Sequence, residues 1–158
     1  MGFFQDYVDY FKVKWLAHPN SGGEAAKNFM TIDIEEALGQ FRSRLKDDEY
    51  VFLLIHYTTD RPPYNVNAEI QRECGFYIMK KYSDRQDDDY IASLDAAETV
   101  GWEIMNAVIA DSVAGHSLLQ YSLNTDAQIK ANHTLKSFAP SYVGWLFMFT
   151  IRTHAPIC

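Results

Sequence analysis

At 158 residues, the chain has the length of one domain, and residues 1–158 read as a single unit. Its 47% apolar and 22% charged residues match an ordinary globular domain, which excludes a disordered chain, a collagen-like repeat and a coiled coil. Lys and Arg number 14 against 21 Asp and Glu, a net charge of −7 that repels nucleic-acid phosphates and argues against sequence-specific nucleic-acid binding. The charge is uneven: residues 1–50 carry 6 basic and 9 acidic side chains, residues 51–100 carry 5 and 9, and residues 101–158 only 3 and 3.

The first predicted element is a helix over residues 3–16. Phe3, Phe4, Tyr7, Val8, Phe11 and Trp15 recur at three- and four-residue spacing and share one strongly aromatic face. His18, Pro19 and the Gly22-Gly23 pair end it and open a loop to about residue 28, the first candidate mobile segment. A second helix is expected over residues 33–46, with Asp33 and Glu36 as a capping box and Ile34, Ala37, Leu38, Phe41 and Leu45 as its stripe. Residues 50–57 (YVFLLIHY) are apolar at every alternate position on both sides, the pattern of a central strand covered on both faces. Arg61 to Asn65 read as a loop, because two consecutive prolines cannot join a ladder.

A strand follows over about 68–82, then the longest helix, over about 88–113. That helix opens on Asp87, Asp88 and Asp89, where its dipole favours negative charge, and stops at Gly115. Short strands are expected at 118–123 and 134–138, with 124–132 polar and ambiguous. Residues 143–153 alternate most regularly: Trp145, Phe147, Phe149 and Ile151 point one way, Leu146, Met148 and Thr150 the other. The expected class is α+β: two N-terminal helices, a mostly antiparallel sheet of about four strands, and one long helix packed on it.

The search for chemistry yields no catalytic, cofactor-binding or metal-binding set. Phosphate-cradling glycine motifs are absent from the sequence, and the histidines at 18, 56, 116, 133 and 154 have no metal-ligand spacing. Cys74 and Cys158 form neither a Cys-x-x-Cys pair nor a disulfide framework, and Cys74 reads as a small buried hydrophobe. Asp111, Ser112 and His116 lie close in sequence, but nothing marks a nucleophile elbow or an oxyanion site. His56 at a strand end, with Arg61 and Tyr64 in the adjoining loop, is a possible ligand site. No signal peptide or membrane span is expected, since the longest apolar run, 142–151, is about half a transmembrane helix.

Aromatic residues make up 15% of the chain and gather in the first helix and the last strand. Interfaces enrich aromatics and deplete charge, so Phe4, Phe11, Trp15, Trp145, Phe147 and Phe149 are candidates for core packing or for a surface between copies. An aromatic opening helix, FMTIDIEEAL leading into YVFLLIHY, a long helix with ETVGWEIMNAVIADS and a closing GWLFMFTIRTH strand follow one another. In this order the chain resembles the small tail-completion, tail-terminator-like and head–tail joining proteins of tailed bacteriophages and related contractile injection devices. The resemblance implies a non-enzymatic virion part without cofactor, assembled in the cytoplasm of a bacterial host. Its implied partners are copies of itself, in a ring, and a tail-tube or head–neck protein, with no membrane involved. An acidic surface facing the lumen of such a ring would let DNA slide by like-charge repulsion. Two other classes remain open from the residues: a monomeric interaction or regulatory module, and a cytoplasmic small-molecule-binding domain or enzyme with its pocket near His56, Arg61 and Tyr64.

Overall fold

The computed structural model describes residues 2–22, 28–32, 49–60, 69–82, 87–116, 118, 129–134 and 142–154. In chain order they form helix α1 (Phe3–Ala17), a 3-10 turn (Pro19–Ser21), strands β1 (Phe29–Ile32), β2 (Tyr50–Asp60) and β3 (Glu69–Lys81), helix α2 (Asp87–Val113), and strands β4 (Lys130–His133) and β5 (Tyr142–His154). The class is α+β. The five strands lie in the order β1-β2-β3-β5-β4.

The sheet is mixed, which corrects the expectation of about four mostly antiparallel strands. β1 pairs parallel with β2, Phe29 opposite Phe52 and Ile32 opposite Ile55, whereas β2–β3, β3–β5 and β5–β4 are antiparallel. A parallel pair needs a long crossover between its strands, and the chain between Ile32 and Tyr50 has the dozen or more residues required. The helix expected over 33–46 lies outside the described residues. β4 occupies the stretch that reads as ambiguous, because KANH has no apolar alternation and its side chains are mostly exposed at the sheet edge. Thr134, the first residue of an expected strand, instead follows β4: its N–H donates to the Gly144 carbonyl (2.8 Å) and its hydroxyl accepts from the Gly144 N–H (3.1 Å). Leu118, likewise expected to start a strand, sits buried in a turn.

The two faces of the sheet bury different sets of side chains. On the helix side, Phe52, Leu54, Cys74, Phe76, Ile78, Phe147, Phe149 and Ile151 meet Tyr7, Phe11 and Trp15 of α1 and Val100, Ile104, Met105 and Val108 of α2. The rings stack in a row: Phe29 on Phe52 (5.4 Å), Phe52 on Phe76 (4.8 Å) and Phe76 on Phe147 (5.2 Å); the first and last pairs are directly opposite in register, and Phe52 meets Phe76 on the diagonal. Such offset stacks add to the area that they bury. On the opposite face Val51, Leu53, Ile55, Tyr77, Met79 and Tyr142 form a second buried cluster, with Met30, Leu146 and Met148 against it. β2 is therefore covered on both faces, as its unbroken apolar run requires.

The ends of the helices follow local rules. α1 stops at His18, whose extended backbone leaves the helix and whose Nδ1 accepts from the Asn20 N–H to cap the 3-10 turn. Ser21, at the end of that turn, is 1% exposed, and the buried Asn28 amide donates to the Ser21 carbonyl at 3.1 Å. α2 ends in a left-handed glycine, Gly115 with φ +80°. There the Gly115 N–H bonds to the Ser112 carbonyl (3.2 Å) and the His116 N–H to the Asp111 carbonyl (3.0 Å), the paired closing bonds of a Schellman motif. A side chain in that conformation costs about 1–2 kcal/mol. Gly115→Ala is therefore expected to lower stability by about 1 kcal/mol in urea denaturation, with space for the methyl group itself.

Candidate functional site

Among the described residues, the seam between α1 and the C-terminal end of α2 gathers a cluster of polar side chains. Asp111, one turn before the Schellman glycine, meets two residues of α1 that lie four apart. The Tyr10 hydroxyl donates to Asp111 Oδ2 at 2.7 Å, and the Lys14 ammonium pairs with the same oxygen. Burial raises the Asp111 pKa, but the Lys14 and Tyr10 hydrogen bonds outweigh it, so the carboxyl sits below its ordinary value. Tyr10 goes the other way: burial first, then the Asp111 acceptor, push its phenol far above the usual tyrosine range.

The left-handed turn at Gly115 swings His116 back over α1. Its ring meets the Tyr10 ring at 4.9 Å, edge to face, and its Nδ1 accepts from the Leu118 N–H at 3.2 Å. The Asp111 carboxylate is engaged by Tyr10 and Lys14 of α1, and the nearby His116 also lowers its pKa. Beside this seam lies an open cleft of about 500 Å³, lined by Phe3, Asp6, Asp9, Tyr10, Val13, His116 and Leu118. Sequence reasoning assigns Asp6 and Asp9 no role. The available signal was the 3, 6, 10, 13 spacing, which sets Phe3, Asp6, Tyr10 and Val13 in one stripe along α1.

A second seam joins the end of α1 to the middle of α2. His18 stacks on Trp15 (5.9 Å, 9° between planes), and its Nε2 lies 2.7 Å from Glu103 Oε2. The arrangement clamps the helix end.

The residues singled out from sequence fall in three places. Phe11, Trp15, Phe147 and Phe149 lie 0–4% exposed in the chain's own core, so burial within one copy accounts for them and they offer no surface to another. Phe4 is 41% exposed, and Trp145 is half-buried. The Trp145 indole donates to the Leu94 carbonyl of α2 at 3.0 Å and meets the His133 ring at 5.8 Å, pinning α2 and β4 to β5. Trp145→Ala is expected to cost about 3 kcal/mol, the lower end for a large aromatic because the ring is not fully buried. Thermal and urea unfolding check it; unchanged stability would make the ring a surface group.

His56 is exposed, and the bulge between Ile55 and Thr58 explains its direction. His56 and Tyr57 together oppose Cys74, so the strand turns and both rings lean on the start of α1: Phe4 meets His56 at 5.2 Å and Tyr57 at 5.6 Å. On the neighbouring strand Arg72 lies over the Phe3 ring at 3.9 Å. Arg61 and Tyr64, the other members of the ligand site expected from sequence, lie outside the described residues. Cys74 is wholly buried and reduced. Burial pushes its thiol up to about 12, the opposite of what a nucleophile needs.

Among the described residues no three His, Cys, Asp or Glu side chains converge as a metal site would require, and no helix is long and apolar enough to cross a membrane. A comparison with known protein families finds none that matches this chain, and none of the curated proteins matches it.

Proposed function

We propose that the chain is a non-enzymatic structural part of a phage or phage-like particle. In this reading it is a ring-forming tail-completion or neck protein that caps a tail tube and docks on its neighbours. One observation supports it above the others. β2 has 11 residues and β3 and β5 have 13 each, but the flanking β1 and β4 have only four. Among the described residues, β1 pairs with β2 up to Ile55, and β4 pairs with β5 from Trp145 to Met148. Among the described residues, at the end where Asp60, Gln71 and Arg152 lie side by side, three strands therefore run past both flanks. Among the described residues, the outer sides of 56–60 in β2 and 149–154 in β5 have no ladder partner. Sheet edges of this kind template pairing with another chain. An edge on each side of one three-stranded tongue suits a head-to-tail contact, the contact that closes a ring when its rotation divides the circle.

The test is light scattering during gel filtration across a concentration series, with negative-stain images of any large species. The expected result is a closed annulus of fixed stoichiometry, formed by the chain alone or on a tail tube. A strict monomer at every concentration that also fails to seat on assembled tubes sinks the reading.

A further inference from the structure

We propose that the cleft between α1 and the closing turn of α2 binds a small organic cation, an amine or guanidine carried on a short apolar stem. The inference stands apart from the assembly reading and rests on what lines the cleft. Its volume of about 500 Å³ falls in the roughly 300–1,000 Å³ range of small-molecule sites. Three of its walls are apolar: Phe3, Leu118 and Val13, the last left 65% exposed on a helix whose neighbouring aromatic residues are buried. A bare metal ion would gain nothing from them, whereas an alkyl stem would cover them.

The charge of the lining is negative where it is not already neutralised. Asp111, just outside the cleft, is occupied by Lys14 and Tyr10. Asp6 and Asp9 remain, both exposed and three apart on one helix, which brings their carboxylates to the same rim. Gln5 donates to Asp9 Oδ1 at 2.9 Å and orients that carboxylate. Between rim and walls lies the Tyr10 ring, which already attracts one ammonium, that of Lys14, at 5.7 Å from its centre. Aromatic rings, two carboxylates and an apolar wall select a cation with a hydrocarbon body over an anion or a neutral molecule.

The experiment compares pentylguanidinium with pentylurea, which has nearly the same shape and no charge, by amide chemical shifts of the full-length protein. The expected result is saturable shifts at the amides of Asp6, Asp9, Tyr10, Val13 and Leu118, with the cation binding about tenfold tighter than the urea, the factor two nearby carboxylates supply across a wet rim. Asp6→Asn combined with Asp9→Asn should erase that preference, and Asp6→Glu with Asp9→Glu should keep it; both pairs alter exposed positions, and a thermal melt verifies the fold. Equal binding of the two probes, shifts confined to another surface, an unchanged preference in the Asn pair, or no saturable shift at millimolar concentrations would each overturn the proposal. The last result is also what a cleft shaped only for a neighbouring copy's side chain would give.

Discussion

Phe147→Ala is expected to cost about 3–5 kcal/mol, and Gly101→Ala, destabilising in the native chain, is expected to become stabilising in its presence. Phe147 is fully buried at the point where α2 crosses β5. It stacks on Phe76 at 5.2 Å with 13° between planes, and the edge of Trp102 closes on it at 5.2 Å and 88°. Gly101 lets the helix settle onto that ring: a methyl group at 101 would overlap Cε2 and Cζ of Phe147. The ring cannot retreat, because Phe76 and Trp102 hold it from two sides. Alanine in a helix interior gains about 1 kcal/mol over glycine. Overpacking a filled core costs about 1–3 kcal/mol, more when the neighbours are pinned. Gly101→Ala alone should therefore be a net loss of about 1–2 kcal/mol. With Phe147 truncated, the added methyl enters the vacated space and only the propensity gain remains. The coupling between the two sites should reach about 2 kcal/mol in a urea double-mutant cycle, within the range for residues in contact. Additive effects would mean that α2 does not cross β5 at this position.

The same crossing shows how much of the fold is legible in the sequence. The alternation in β5 assigns both faces correctly: Phe147, Phe149 and Ile151 enter the helix-side core, and Leu146 and Met148 pack on the other cluster. The apolar run of β2 is covered on both sides, and α2 and its glycine stop follow from periodicity and from the left-handed preference of Gly115. The failures are physical too. β1 is four residues long and owes its strand to parallel pairing with β2, a contact that leaves no local period. β4 is an edge strand whose polar side chains face water, so it lacks the apolar alternation that marks buried strands.

The candidate site was less legible than the fold. Tyr10 and Asp111 lie 101 positions apart, and only the packing of α1 on α2 brings them together. His116 reaches Tyr10 because Gly115 reverses the chain, and His56 leans on Phe4 because a bulge breaks the two-residue alternation. Each side chain was visible as a residue type; helix packing sets the meeting of Tyr10 and Asp111, and a backbone irregularity sets the direction of His116 and His56. The aromatic richness of α1 and β5 was legible as well, and core packing within one chain accounts for most of it: the rings of Phe11, Trp15, Phe147 and Phe149 are spent on the chain's own interior. What is left for recognition is smaller and more polar than the composition suggests.

A steep loss of stability above about pH 9 is the other large effect expected. Three buried acids, Cys74, Tyr7 and Tyr10, resist ionisation most in the folded chain, and burial raises the Tyr77 pKa to a lesser degree. Burial pushes the Cys74 thiol up to about 12. Burial and the neighbouring Cys74 hold the Tyr7 phenol well above its ordinary value, while burial and the Asp111 acceptor do the same for Tyr10. All three folded values lie above the unfolded ones. The contribution is therefore complete below the unfolded values, where both states keep their protons. It is lost as pH climbs toward the folded values, because there only the unfolded chain releases them. Each group contributes a slope of about 1.4 kcal/mol per pH unit. Cys74 acts alone from about pH 9, and the two tyrosines join from about pH 10, for roughly 4 kcal/mol per unit in all. A domain with an ordinary stability of about 5–15 kcal/mol would then unfold near pH 11–12. Urea midpoints at pH 8, 9, 10 and 11 measure the slope directly. Cys74→Ala should flatten the stretch between pH 9 and 10 and leave the steeper stretch above it, whatever the variant costs at pH 8. Tyr10→Phe should make the slope above pH 10 shallower and leave the stretch between pH 9 and 10 unchanged. Flat midpoints from pH 8 to 11 in the parent chain would mean that the cluster around Tyr7 and Cys74 is wet, and that the helix-side core is looser at the β2 bulge than its burial implies.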